Sequence, residues 1–193
     1  MDRFTRTIYI MIMSVLLVAC DKEAGFSSSP SLRLEFSSDT IAFDTLFAEV
    51  GSPTAAMVVR NRNSEGIRIS SVSLASGGNS GFSVLVDGQY GDYMSDLEIR
   101  AKDSILVLAS AFFPKGGKEQ PQVLSDSLLF CLENGVTQYV TLLAYCRNAT
   151  FLRGVEFLSD TAMAPGHYIV YDSLVVGENA VLTVPASTTL YFH

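Results

Sequence analysis

The sequence predicts an all-β protein, in which an antiparallel β-sandwich is followed by the first coils of a β-solenoid or β-helix, behind an N-terminal signal helix. Three observations support this fold class. Short runs rich in Val, Ile, Leu, Phe and Tyr alternate with clusters of Gly, Asn, Asp, Ser and Pro. After residue 20, no apolar pattern repeats with the 3.6-residue period of a helix. From residue 172 onward, pairs of apolar residues recur every eight positions.

The chain begins like a secretory signal peptide. Arg3 and Arg6 precede an apolar run over residues 8–19, which is shorter than the about 20 apolar residues that span a bilayer. Leu17-Val18-Ala19-Cys20 resembles the lipobox of bacterial lipoproteins, in which the Cys thiol is acylated and a peptidase cuts before it. The resemblance implies a signal peptide over residues 1–19 and lipidation at Cys20. A plain membrane anchor or a buried N-terminal helix is the alternative.

Residues 20–31 are predicted to be a flexible tether, because they are rich in Ser. Within them, Asp21-Lys22-Glu23 resembles the acidic stretch that directs Bacteroidota lipoproteins to the outer face of the outer membrane, although Lys22 interrupts it. The resemblance implies an outer-membrane protein at the cell surface, with the periplasmic face as the alternative. The membrane, reached through the lipid on Cys20, is therefore the first expected partner.

Composition limits the other partners. The chain has 193 residues, with 13 Lys and Arg against 20 Asp and Glu, so its net charge of −7 argues against nucleic acid. Trp is absent, so any aromatic platform for sugars would have to use tyrosines. The length allows one domain, or one domain plus a fragment.

Residues 32–147 are predicted to form the sandwich, of immunoglobulin type because short strands and turns alternate regularly. The predicted strands are Leu32–Phe36, Thr40–Phe47, Ala55–Asn61, Ile67–Ala75, Phe82–Val86, Asp96–Arg100, Ser104–Phe113, Asp126–Glu133 and Val136–Tyr145. Phe43-Asp44-Thr45-Leu46-Phe47, Val58-Val59-Arg60-Asn61 and the segment at 67–72 resemble the N-terminal domain of an uncharacterised group of Bacteroidota lipoproteins. They are also similar to the immunoglobulin-like domains of ciliary and centrosomal proteins (the ASH/MSP type). The resemblance covers about residues 35–146 and implies fold and location rather than activity.

Asn134-Gly135 predicts a two-residue hairpin with a type I′ turn. That register places Cys131 opposite Gln138. Cys146 would then lie about 26 Å from Cys131, at about 3.3 Å per residue, far beyond the Cα separation of about 7 Å that a disulfide tolerates. Both cysteines are therefore predicted to be unpaired.

Residues 148–193 are predicted to be the first coils of a parallel β-helix. Each strand would offer two inward apolar residues followed by a corner. The repeated pairs are Leu174 and Val176, Leu182 and Val184, and Leu190 and Phe192. The same lipoprotein group carries a right-handed β-helix after its sandwich, which implies the same arrangement. A meander of three hairpin strands is one alternative. Because a solenoid needs about three coils, we expect a truncated chain, unless residues 150–193 fold back and extend the sandwich.

No motif for a catalytic site, cofactor or metal stands out. His167 and His193 lack Cys or carboxylate partners at zinc spacing, and His167 follows Pro165-Gly166, so it is interpreted as a loop residue. The segment 87–92 has acidic residues around glycines but lacks the closing Glu of an EF-hand, so it is interpreted as a surface turn. No cofactor is expected.

Asp followed by Ser or Thr and an apolar residue recurs along the chain. The pattern resembles the general O-glycosylation motif of exported Bacteroidota proteins. It implies hydroxyl acceptors at Thr40, Thr45, Ser104, Ser127, Thr161 and Ser173. The alternative is that these Asp and hydroxyl groups bond to local backbone where strands begin.

The leading functional hypothesis is a non-enzymatic, membrane-anchored exported lipoprotein with a binding or spacer role. Its partners would be surface glycans or other envelope proteins. The alternatives are the N-terminal fragment of a carbohydrate-active β-helix enzyme and an interaction component of outer-membrane assembly.

Overall fold

The computed structural model describes residues 25–116 and 121–193, and fifteen β-strands lie within them. In chain order they are β1 (Glu35–Phe36), β2 (Thr40–Phe47), β3 (Ala55–Arg60), β4 (Ile67–Leu74), β5 (Phe82–Val86), β6 (Gln89–Tyr90), β7 (Tyr93–Ile99), β8 (Ser104–Ala111), β9 (Gln122–Leu132), β10 (Thr137–Arg147), β11 (Thr150–Phe157), β12 (Thr161–Ala162), β13 (Gly166–Val176), β14 (Leu182–Thr183) and β15 (Thr188–Phe192).

The first ten strands form two five-stranded sheets. One has the order β1-β3-β8-β5-β6 and the other the order β2-β10-β9-β4-β7. Alternate residues of both sheets point inward and form one continuous core, because the side-chain period of a strand is two. Phe130 is fully buried at its centre, and its ring centroid lies 5.1 Å from that of Phe36. The predicted immunoglobulin-like sandwich is confirmed.

One strand pair departs from the predicted antiparallel pattern. β2 and β10, the outermost pair of their sheet, run parallel, with Thr141 opposite Thr40 and Arg147 opposite Phe47. Both strands therefore end at the same edge of the sandwich. The prediction of a purely antiparallel sandwich was wrong at this pair.

The hairpin at Asn134-Gly135 has a different register from the predicted one. Gly135 N–H donates to Leu132 O (3.0 Å) and Leu132 N–H donates to Val136 O (2.8 Å), which closes a three-residue loop. Gly135 alone in this loop has a positive φ, +80°, as in a type I turn followed by a bulge. Cys131 consequently pairs with Thr137, not with Gln138.

The type I′ turn that was predicted at residue 134 occurs instead between β5 and β6. Asp87 and Gly88 have φ angles of +47° and +83°, and Val86 pairs with Gln89 across them. The segment interpreted as a surface turn is therefore a tight hairpin, and its second strand, β6, was not predicted.

Both cysteines are free, which confirms the prediction although its register was wrong. Thr137, the partner of Cys131, is nine residues from Cys146 on β10, or about 30 Å at about 3.3 Å per residue. An odd separation also places the two thiols on opposite faces of the sheet. Cys146 is accordingly buried in the core, and Cys131 is half-buried on the outer face.

Residues 25–31, called the lead-in segment below, lie against one end of the sandwich. Ser27 N–H donates to Gly66 O (3.0 Å), and Gly66 N–H donates to Gly25 O (3.1 Å). The guanidinium of Arg68 lies 4.7 Å from the ring centroid of Phe26. The lead-in segment is the second half of the predicted flexible tether over residues 20–31, and these contacts hold it against the sandwich. Residues 20–24 lie outside the described part of the chain.

Most of the predicted first strand, Leu32–Phe36, does not pair with another strand and is held by side-chain contacts instead. β1 has two residues, and Leu32 and Leu34 before it are buried without ladder pairing. The amide of Gln138 takes the place of a neighbouring strand, because it accepts from Leu34 N–H (2.8 Å) and donates to Leu34 O (2.9 Å).

The last five strands pair only in parallel within the described residues. β11, β13 and β15 form a three-stranded sheet, and β12 and β14 form a second, two-stranded sheet. Tyr168 pairs with Leu190, 22 positions later. The eight-residue spacing thus separates strands in different sheets, whereas stacked partners lie farther apart. Parallel pairing contradicts the hairpin meander, and a complete solenoid remains a prediction.

The predicted inward side chains of this C-terminal unit divide into two groups. Leu174, Leu182 and Leu190 are half-buried, whereas Val176, Val184 and Phe192 are 40%, 43% and 71% exposed. The eight-residue pattern therefore identified one partly buried residue in each pair, and it did not identify the buried Ile169 and Val170.

Candidate functional site

Most sequence-predicted site residues are spread over the surface. Cys20 lies outside the described residues. Of the six candidate glycosylation hydroxyls, Thr45, Ser104 and Ser173 are exposed, and Thr40, Ser127 and Thr161 are half-buried. No two of them share a strand except Thr45 and Thr40 on β2.

Several of the neighbouring aspartates make the local bonds of the alternative interpretation. Asp103 Oδ1 accepts from Ser104 N–H (2.7 Å), and Asp126 Oδ1 accepts from Ser127 N–H (2.7 Å). The carboxylate of Asp103 accepts from the backbone N–H of Ser104 and leaves the Ser104 hydroxyl unused. The local hydrogen bond and glycosylation of that hydroxyl are therefore compatible at Ser104.

Asp126 is a buried carboxylate whose hydrogen bonds hold neighbouring segments of the sandwich together. Ser76 Oγ lies 2.5 Å from its Oδ2, and Ser76 N–H donates to its Oδ1 (3.2 Å). Burial alone would raise the pKa of Asp126, but hydrogen bonds from the Ser76 hydroxyl and from the amides of Ser127 and Ser76 outweigh it, so the pKa lies below its ordinary value. Asp126 thereby fastens the loop after β4 onto β9.

A cluster of polar and aromatic side chains lies where the sandwich meets the C-terminal unit. Because β2 and β10 end side by side, Phe47 and Arg147 are neighbours in register at this edge. Ala48 N–H donates to Arg147 O (2.8 Å). Asn148 and Ala149, the latter 7% exposed, are the whole connection before β11 begins at Thr150.

His167, the second residue of β13, is held against these strand ends. Arg147 Nη1 lies 3.0 Å from its Nε2. A guanidinium can only donate, so Nε2 accepts and the ring proton is on Nδ1. The ring centroid of Tyr191 lies 4.7 Å from Phe47 and 6.0 Å from His167. His167 Nδ1 is buried and has no hydrogen-bond partner among the described residues.

A cleft of about 600 Å³ opens beside His167. The lining residues come from both parts of the chain, namely Lys115, Asn148, Ala149, Thr150, Pro165, Gly166, His167 and Ser187. Asn148 Nδ2 donates to Gly116 O (2.6 Å), which holds the loop after β8 at the rim. We call this feature the junction cleft.

The interpretation of His167 as a loop residue was wrong, since it lies in β13 and at the junction. Pro165-Gly166 does mark a turn, but the strand begins at Gly166, one residue earlier than the turn signal suggests. No local sequence signal places His167 at the junction, because its position depends on the parallel pairing of β13 with β15, which sets it beside Thr189.

Among residues 25–116 and 121–193, no three His, Cys, Asp or Glu side chains converge to hold a metal ion. The same residues contain no helix with the length and apolar character to cross a membrane.

No protein-family model matches the chain, and no curated sequence matches it. Several solved structures are similar to part of the chain at low identity. The ASH/PapD-like domain 7 of human CEP192 is 13% identical, with a TM-score of 0.40 over 64% of this chain and 91% of that one. A protein of unknown function from Porphyromonas gingivalis W83 is 14% identical, with a TM-score of 0.42 over 64% of this chain and 59% of that one.

A family 123 glycoside hydrolase from Clostridium perfringens is 9% identical, with a TM-score of 0.42 over 64% of this chain. The chain spans 30% of the length of that hydrolase.

Proposed function

We propose that this protein is a lipid-anchored, exported envelope protein without catalytic activity, in which the sandwich is a rigid spacer. It would hold the C-terminal parallel unit at a fixed distance from the membrane. The observation that carries the proposal is that the lead-in segment and the C-terminal unit contact opposite ends of the sandwich.

β10 connects these two ends. Just before it, Asn134 Nδ2 donates to Ser29 O (2.8 Å) in the lead-in segment. At its far end, Arg147 contacts His167 of the C-terminal unit. β10 has 11 residues, which corresponds to about 36 Å at about 3.3 Å per residue. Lipidation at Cys20 would place the first end at the membrane.

The junction has the features of a stiff connection rather than a hinge. Its linker is two residues long and includes buried Ala149. Phe47 packs on Tyr191, and Arg147 bonds His167, so side chains from both parts interlock. Pairs of aromatic rings contribute about 0.5–1.5 kcal/mol beyond their burial. A stiff junction is what a spacer needs.

Distances between spin labels test the spacer directly. Labels at Ser31→Cys and Ser173→Cys, in a full chain with Cys20→Ser, Cys131→Ser and Cys146→Ala, should give one narrow distance distribution by double electron–electron resonance. A flexible Gly-Ser insertion between residues 148 and 149 is the matched control and should broaden it. A broad distribution without the insertion would refute the spacer role.

Lipidation and location are tested separately in cells. An alkyne palmitate analogue should label the wild type and the Cys131→Ala control but not Cys20→Ala. Protease treatment of intact cells should remove the protein if it is displayed on the surface, and should leave it intact if it faces the periplasm. Labelling of Cys20→Ala at the wild-type level would refute the anchor.

We also propose O-glycosylation at the exposed acceptors. Thr45, Ser104 and Ser173 offer exposed hydroxyls. Intact mass of protein from its native host should fall by one glycan for each exposed acceptor changed to Ala. An Ala substitution at the half-buried Ser127 is the matched control and should leave the mass of the glycans unchanged. The loss of a glycan there, or no glycan at all, would contradict the proposal.

A further inference from the structure

We propose that the junction cleft binds an acidic sugar, a hexuronic acid unit whose carboxylate pairs with Lys115 and whose hydroxyls bond to the polar rim. This site is additional to the spacer role and does not depend on it. The two parts of the chain form the cleft together, so neither would bind alone.

The charge of the cleft opposes that of the chain. The protein has a net charge of −7, yet no carboxylate side chain lines the cleft. Lys115 is exposed at its rim, and Arg147 lies behind His167. Among the described residues, neither cation forms a salt bridge. An anion is therefore the ligand that this lining attracts.

Size and lining favour a sugar over a simple inorganic anion. The volume of about 600 Å³ lies within the range of about 300–1,000 Å³ typical of sites for organic ligands. Thr150 and Ser187 supply hydroxyls, which both donate and accept and so match the hydroxyl groups of a sugar. A sulfate or phosphate ion would leave most of this space and these groups unused.

His167 forms part of the wall of the cleft. Its bond to Arg147 Nη1 (3.0 Å) fixes the position of this wall, so the cleft has a defined shape before a ligand binds.

Calorimetric titration of the full chain in detergent micelles tests the proposal. Sodium glucuronate and sodium galacturonate are the probes, with glucose and sodium sulfate as comparisons. At least one uronate should bind with 1:1 stoichiometry, while glucose and sulfate bind at least about tenfold more weakly, because each lacks one of the two matched features. Raising the salt concentration should weaken the uronate further.

Two substitutions in the cleft and one outside it complete the test. Lys115→Gln should raise the Kd for the uronate about five- to tenfold, since an exposed charge-assisted contact is partly screened. Ser187→Ala should also weaken it. Lys102→Gln is the matched control, because Lys102 lies at the opposite end and donates to Arg62 O. Absence of uronate binding, equal binding of glucose or sulfate, or an unchanged Kd in Lys115→Gln would overturn the proposal.

Discussion

Asn61 is the residue whose replacement should cost the sandwich most stability at the end that holds the lead-in segment. It is fully buried at the end of β3. Its Nδ2 donates to Glu65 O (2.8 Å), Ile99 O (3.1 Å) and Arg100 O (3.1 Å). Its Oδ1 accepts from Asn63 N–H (3.0 Å). One amide side chain thus joins the turn after β3 to the end of β7.

The cost of Asn61→Ala can be estimated from these bonds. The bond to Ile99 O is fully buried, and an unsatisfied buried group costs about 1–3 kcal/mol. The remaining bonds are part-buried, and each contributes about 0.5–1 kcal/mol net where water can replace it. Together they predict a loss of about 2.5–6 kcal/mol, a large part of the about 5–15 kcal/mol that stabilises a typical domain.

Urea denaturation followed by circular dichroism measures this loss. Asn61→Asp is the sharper variant, because it keeps the shape but places an oxygen against three carbonyl oxygens, so it should destabilise at least as much as Ala. Asn79→Ala is the control, since Asn79 is exposed and makes one long bond to Ser76 O (3.4 Å). It should change stability by less than about 0.5 kcal/mol. A tolerated Asn61→Asp, or a loss below about 1 kcal/mol in Asn61→Ala, would refute the reasoning.

Three further predictions concern pH, thiols and the lead-in segment. Because the pKa of Asp126 is lowered in the folded state, its contribution to stability is present above the unfolded pKa of about 3.9 and is lost as pH falls through the folded pKa. The urea midpoint of Asp126→Asn should therefore fall less than that of the wild type below about pH 4, and parallel profiles would contradict this. Cys131 should react with a maleimide in the native protein and Cys146 only after unfolding, since burial shields its thiol and raises its pKa; a bridged pair in non-reducing peptide maps would argue against both assignments. Gly66→Ala would place a Cβ 2.6 Å from the Phe26 ring, so the lead-in segment should become more sensitive to limited proteolysis, and unchanged cleavage would count against its docking.

The sandwich was predictable because clusters of Gly, Asn, Asp, Ser and Pro separate its strands in the sequence. The predicted bounds of Thr40–Phe47 and Phe82–Val86 match β2 and β5. β7 was predicted three residues late, at Asp96 instead of Tyr93. Asp96 has a φ of +58° within the strand, and this irregularity interrupts the alternation on which the prediction relied.

The hairpin at Asn134 shows the limit of turn signals. Asn-Gly favours two residues with positive φ, but Asn134 is engaged elsewhere, since its Nδ2 donates to Ser29 O (2.8 Å) and its Oδ1 accepts from Val136 N–H (3.0 Å). A tertiary contact from the lead-in segment thus accompanies a different turn, and no local pattern encodes that contact. Asp87 makes a long-range bond only through its backbone, whose N–H donates to Leu106 O (3.0 Å), and there Asp-Gly forms the type I′ turn.

The junction cleft could not be predicted because it depends on one strand pairing. If β2 and β10 were antiparallel, as the sequence suggested, the start of β2 rather than Phe47 would lie beside Arg147. Parallel pairing instead brings Phe47 and Arg147 to the same edge, 100 positions apart in sequence. Only there can His167 meet a guanidinium and an aromatic ring together. The same pairing sends the chain away from the end that holds the lead-in segment, so one topological feature accounts for both the spacer geometry and the cleft.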